Sequence, residues 1–258
     1  KKFNYINVAN TYIIDSFVEM FSVTKKQMIA YGFPRCDQFF NKKKVDYAFK
    51  TRHMARSFDN IINSNTNIIL YTPTWRPYEY NLPILDLEGF DELDFSKWLE
   101  ENNYYFFYSV HSGNKPRSYM KKLPRIKYID KDKYPLFDIN KFMIESNILI
   151  NDYSATTTDY SILGKAQLFC MPDYDYYWGH KNIEFLSDEK KINYKESIPG
   201  VDVKDYMSLK TNINYIINNY NAYVNKYNDK SKSILSKYYD ISKTESCIKF
   251  RNLIEKHL

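Results

Sequence analysis

The chain has 258 residues, 44% of them hydrophobic and 18% aromatic, enough apolar material for a substantial core, which excludes intrinsic disorder and low-complexity scaffolding. At roughly 150 residues per domain, that length accommodates one large or two small domains. Net charge is +6, which favours an anionic partner without naming it.

Residues 5–8 alternate like a short strand, and residues 12–21 carry apolar side chains at helical spacing. Residues 28–31 suggest another strand, closed by Gly32-Phe33-Pro34-Arg35. Residues 37–63 read as mixed and mainly helical, ending in a polar run at 60–67 that marks a domain boundary. Beyond it, short apolar runs at 67–71, 104–110, 126–129, 148–151 and 167–171 interleave with amphipathic stretches at 95–102, 138–146 and 156–163. Strands of this length alternating with helices predict βαβ units and a parallel sheet, an α/β fold. From Lys204 onward the pattern is helical throughout. Expected divisions are 1–63, 64–230 and 231–258.

Cys36, Cys170 and Cys247 show neither zinc spacing nor a disulfide framework, which suits a reducing cytoplasm. No stretch of about 20 apolar residues spans a bilayer. Lys1 opens the chain with neither Met nor an apolar leader, and reads as the cut edge of a longer protein.

The most informative segment is Ile148-Leu149-Ile150-Asn151-Asp152-Tyr153-Ser154-Ala155-Thr156, a strand running through an acid and small hydroxyl residues into a helix. The free amides of such a helix start bind phosphate; alternatively, Ser154 or Thr156 merely caps the helix. In Tyr71-Thr72-Pro73-Thr74-Trp75-Arg76, Arg76 offers a bidentate guanidinium and Thr74 a hydroxyl or amide donor. The plainer alternative makes Trp75 core and Arg76 a solvated cation. His111 ends an apolar run, at the strand edge where α/β sheets bind ligands. His53, His180 and His257 lie in polar stretches and read as surface. Arg35 sits on a rigid turn. The aromatic, loop-prone stretch at 173–179, with Pro199-Gly200 beyond, lines a pocket or simply packs. The runs Lys42-Lys43-Lys44 and Lys190-Lys191 read as solvated faces, with attraction to membrane headgroups as the lesser reading.

In order, Gly32-Phe33-Pro34-Arg35-Cys36-Asp37, Leu70 to Arg76, His111, Asp138 to Ser154, Asp159-Tyr160, Leu163 to Phe169 and Pro199-Gly200 resemble the landmarks of one family. It is the CDP-glycerol:poly(glycerophosphate) glycerophosphotransferases, the teichoic acid and capsule polymerases. The resemblance covers nearly the whole chain and implies a GT-B architecture: a donor-binding Rossmann-like domain, the end of a preceding one, and terminal helices packing back on the first. It implies a CDP-activated polyol phosphate donor, typically CDP-glycerol, a hydroxyl of a growing, lipid-linked polymer as acceptor, and release of CMP. It places the protein in the cytoplasm, on the cytoplasmic membrane face. Arg35, Pro73, Thr74, His111, Ser154, Ala155 and Asp159 would contact the donor, with Arg76 and Thr156 beside them, and His111 and Arg35 as the catalytic pair. No cofactor or metal is expected, since no acidic cluster has divalent-ligand spacing.

Three departures bear on the acceptor and the transferred group. The family's tryptophan-histidine-glycine-threonine-proline element, which holds the favoured general base, is absent here and would lie upstream of Lys1. Its histidine-proline pair is His111-Ser112, and its arginine-glycine pair is Trp178-Gly179. A sugar-transferring GT-B enzyme and a non-catalytic nucleotide- or polymer-binding module stay open beside this reading. Nucleic acid is disfavoured because the basic residues are dispersed.

Overall fold

The computed structural model describes residues 4–40, 61, 64–76, 83–110, 122–129, 138–180, 194–239 and 245–256. His111 and His53 lie outside them, as do His257 and the lysine runs at 42–44 and 190–191.

Six strands form one parallel sheet: β3 (Asn67–Tyr71), β4 (Tyr104–Tyr108), β5 (Ile126–Tyr128), β6 (Ile148–Asn151), β7 (Ala166–Cys170) and β8 (Gly200–Val203). Their spatial order is β5-β4-β3-β6-β7-β8, every neighbouring pair parallel. The chain starts in the middle, builds outward through β5, returns to the middle at β6 and builds outward the other way. That is the doubly wound order of nucleotide-binding α/β sheets. Ahead of this sheet in the chain, β1 (Ile6–Asn7) and β2 (Met28–Ile29) form a separate parallel pair joined through helix α1 (Ile14–Phe21).

Alternation along the central strands sends side chains into two cores. Ile69, Tyr71, Phe106, Tyr108, Ile148 and Ile150 face one, under α3 (Glu92–Glu101) and α8 (Tyr206–Asn218). Ile68, Leu70, Phe107 and Leu149 face the other, with Phe142 of α4 (Ile139–Glu145) and Tyr160 of α5 (Thr156–Ile162). Burial on both faces explains why these strands read as unbroken apolar runs.

Two expectations require correction. The sheet has a sixth strand, β8, where only five runs were apparent, because Pro199-Gly200 and Asp202 give 199–203 a turn-like composition. Gly200 permits the close approach there: a Cβ would lie 2.1 Å from the Gln167 carbonyl oxygen on β7. Residues 174–180, expected as loop, form helix α6 (Tyr174–His180).

The terminal helices meet the amino-terminal segment. Asn10 Nδ2 donates to the Ser236 carbonyl of α9 (Tyr220–Tyr238) at 3.0 Å. Asp37, which opens α2 (Asp37–Phe40), accepts from the Ser246 and Cys247 amides that start α10 (Ser246–Glu255), at 3.1 and 2.8 Å. Among the described residues no helix is long and apolar enough to cross a membrane.

Candidate functional site

In a doubly wound sheet, the crevice at the carboxyl ends of the two strands where the winding reverses is uncovered by either crossover, and ligands bind there. Here those strands are β3 and β6. They deliver Thr72-Pro73-Thr74 and Asp152-Tyr153-Ser154-Ala155 to one edge, where Thr72 Oγ1 and Thr156 Oγ1 share a 3.0 Å hydrogen bond.

The loop after β6 is braced from below. Asn151 is fully buried and its Nδ2 donates to Thr157 Oγ1 at 2.5 Å and to the Ser154 carbonyl at 3.4 Å. Ser154 Oγ accepts from the Thr156 amide at 3.3 Å, so the capping reading of Ser154 describes its hydroxyl. The Thr157 and Thr158 amides close onto the Ser154 and Ala155 carbonyls. The amides of Ser154 and Ala155 make no hydrogen bond among the described residues. Ala155 is exposed, and Ser154 and Thr156 are half-buried.

Arg35 approaches the same helix from the amino-terminal segment. Pro34 starts a short 3₁₀ turn (Pro34–Cys36), and the Arg35 guanidinium lies 4.1 Å from the Phe33 ring centroid. Its Nε and Nη2 donate to the two Asp159 oxygens at 2.9 and 3.2 Å, leaving Nη1 without a partner among the described residues. Burial opposes the charge on Arg35, but Asp159's hydrogen bond and field outweigh it and raise its pKa. Cys36 Sγ lies 3.5 Å from Asp159, and burial together with that carboxylate pushes the thiol up to about 12.

Three residues expected at the donor have partners within the protein. Arg76 is buried with its side chain fully enclosed. Its Nε and Nη2 donate to Asp173 at 2.6 and 3.0 Å, and Nη1 donates to Asp152 Oδ2 at 2.8 Å and to the Thr74 carbonyl at 2.7 Å. A guanidinium so engaged presents no fork to a phosphate. Thr74 spends both its donors on Asp152, the amide at 2.9 Å and the hydroxyl at 2.7 Å. Asp159, 5% exposed, turns both oxygens to Arg35 and holds that guanidinium in place. Trp75, on the plainer reading a core residue, is 45% exposed.

The aromatic stretch after β7 packs. Tyr153 stacks on Tyr177 at 3.9 Å, Trp178 and Tyr194 border the stack, and Tyr177 is 1% exposed. The hydroxyl of Tyr194, which opens α7 (Tyr194–Ser197), donates to the Asp152 carbonyl. Sequence reasoning passed over Asp173 and Asn151. The available signal was an acid just beyond β7, as Asp152 is just beyond β6. Among the described residues, no three His, Cys, Asp or Glu gather as a metal would need.

The strand order and this edge define a doubly wound, Rossmann-like α/β domain. The family model for CDP-Glycerol:Poly(glycerophosphate) glycerophosphotransferase matches residues 1–256, and the chain belongs to that family. It is 29% identical over 239 residues to the teichoic acid glycerol-phosphate primase of Bacillus subtilis (strain 168), covering 90% of this chain and 55% of the relative. Against the teichoic acid poly(glycerol phosphate) polymerase of Bacillus spizizenii (strain ATCC 23059 / NRRL B-14472 / W23), identity is 29% over 184 residues, 68% of this chain and 43% of the relative. The chain thus spans about half the length of the curated relatives it matches. The fold is similar to that of the wall teichoic acid polymerase TagF, with a TM-score of 0.71 at 22% identity over 98% of this chain and 58% of that one.

Proposed function

We propose that this chain forms the donor-binding part of an enzyme that transfers a polyol phosphate, glycerol phosphate in the first instance, from a CDP donor to a hydroxyl of a growing teichoic acid polymer. The observation that carries this reading, beside family membership, is the pair of Ser154 and Ala155 amides, unpartnered among the described residues, on the switch-point edge just ahead of the helix whose Asp159 holds Arg35. Amides at a helix start and a guanidinium with a spare donor are what a diphosphate requires.

In the reaction proposed, the acceptor hydroxyl oxygen attacks the distal phosphorus in line. The new P–O bond forms as the bond from that phosphorus to the bridging oxygen breaks, and CMP leaves with the electron pair. The hydroxyl proton passes to a base, which the family resemblance assigns to an element this chain does not carry. With no covalent intermediate, positioning and charge stabilisation supply most of the rate. Arg35, the Ser154 and Ala155 amides and His111 are the groups proposed for that work. The acceptor is read as lipid-linked polymer at the cytoplasmic membrane face.

The test is nucleotide release by the full-length protein offered CDP-glycerol, CDP-ribitol and UDP-sugars in parallel. Release of CMP from CDP-glycerol is the expected result; UDP release from a sugar donor alone overturns the reading in favour of a glycosyltransferase. Replacing Ser154 by Leu is expected to weaken CDP-glycerol binding by roughly tenfold in calorimetry, through crowding at the amides.

A further inference from the structure

Asp152 stands two residues before Ser154, the spacing at which an aspartate side chain folds back to accept the following amides. A carboxylate doing so would occupy the two amides that remain open and would set a negative charge where a diphosphate binds. In this structure it does neither. Asp152 Oδ1 takes the Thr74 amide, the Thr74 hydroxyl at 2.7 Å and the Tyr153 amide at 2.6 Å, while Oδ2 takes Arg76 Nη1 at 2.8 Å. Arg76 is itself anchored by Asp173 and lies 4.9 and 4.8 Å from the Tyr153 and Tyr177 ring centroids. Tyr153 closes the frame by donating from its hydroxyl to Asp173 at 3.2 Å. One guanidinium therefore ties together the loops that follow β3, β6 and β7.

We infer that Arg76 is a positioning residue for the anion site: it restrains the Asp152 carboxylate so that the Ser154 and Ala155 amides stay open for a donor's diphosphate. The inference rests on the donor reading above. Loss of Arg76 harms donor binding because Asp152 is negative, and neutralising Asp152 then restores it.

The experiment uses the full-length protein with Arg76→Gln, Asp152→Asn and the double variant. Steady-state kinetics on CDP-glycerol are read beside a thermal melt that certifies folding. In R76Q the KM for CDP-glycerol is expected to rise about tenfold or more with kcat changed far less, and in R76Q/D152N to fall back to within about threefold of the parent. An unchanged KM in folded R76Q overturns the inference, and so does a raised KM that D152N leaves raised. Should R76Q fail to fold, Arg76→Lys, which keeps charge without the fork, and Asp173→Asn, which removes the anchor, carry the same measurement with a smaller rise. If the parent turns over no CDP-glycerol, the donor reading falls. The same variants are then titrated with inorganic pyrophosphate, where weaker binding in R76Q and its recovery in R76Q/D152N support the inference; a parent that takes up no pyrophosphate overturns it too.

Discussion

Arg35 keeps 44% of its side chain in solvent while Arg76 keeps none, although each is gripped by carboxylate oxygens. On the proposed reading, an exposed guanidinium with one nitrogen unspent among the described residues serves the donor, and an enclosed one with its fork occupied belongs to the frame. Arg35→Ala is accordingly expected to weaken CDP-glycerol binding by roughly tenfold, and Asp159→Asn to weaken it less, because the amide still receives Arg35 through one oxygen. Calorimetry on both variants checks the order; equal losses would put Asp159 itself on the donor. The difference between the two arginines was invisible in the sequence. Each follows a proline turn or strand end, and only the partners more than 75 positions away distinguish them.

Secondary-structure elements carry their own tests. At β8, Gly200→Ala forces a methyl into the Gln167 carbonyl, so the strand must shift off the sheet edge, at an expected cost of about 1–3 kcal/mol in the stability of a folded variant, read from denaturant midpoints. Helices α3 and α8 are joined on their outer side by Asp94, which accepts from Lys210 Nζ at 2.8 Å and the Tyr206 hydroxyl at 2.7 Å. The hydrogen bonds from Lys210 and Tyr206 lower the Asp94 carboxyl below its ordinary value of 3.8. With a depressed folded-state pKa, the stabilisation is present above that value and lost as pH falls through the lower one. Asp94→Asn is thus expected to lower the melting temperature slightly at pH 7, the gap closing below about pH 4 and shrinking with salt, as suits a pair this exposed. A gap that persists at pH 2 would assign the effect to something other than charge. At this scale the central strands were legible, since Asn67–Tyr71 and Ile148–Asn151 are apolar runs buried on both faces. At the edge, β8 was not, because a strand covered by its neighbour on one side tolerates glycine and aspartate, whose local preference is for turns.

Over the whole molecule, segments 209 and 210 positions apart are joined where Asp37 receives the first amides of α10. This bond couples the turn carrying Arg35 to the carboxyl-terminal helix. Asp37→Ala is expected to cost about 1 kcal/mol and to loosen α10 first, seen as faster amide exchange in residues 246–250, with the sheet unaffected. Exchange that accelerates equally in β3 and β6 would mean that the helix end and the sheet open as one unit. The sequence by itself determined the α/β class, most of the strands, and the family, because apolar periodicity and ordered local motifs are properties of short stretches of chain. Tertiary structure alone decided that the winding reverses between β3 and β6, and that Arg76 and Thr74 are turned inward onto Asp152. Strand order is set by which buried faces cover one another, and a polar group's employment by whichever partner is brought within about 3 Å of it. Neither is recorded in the spacing of residues along the chain.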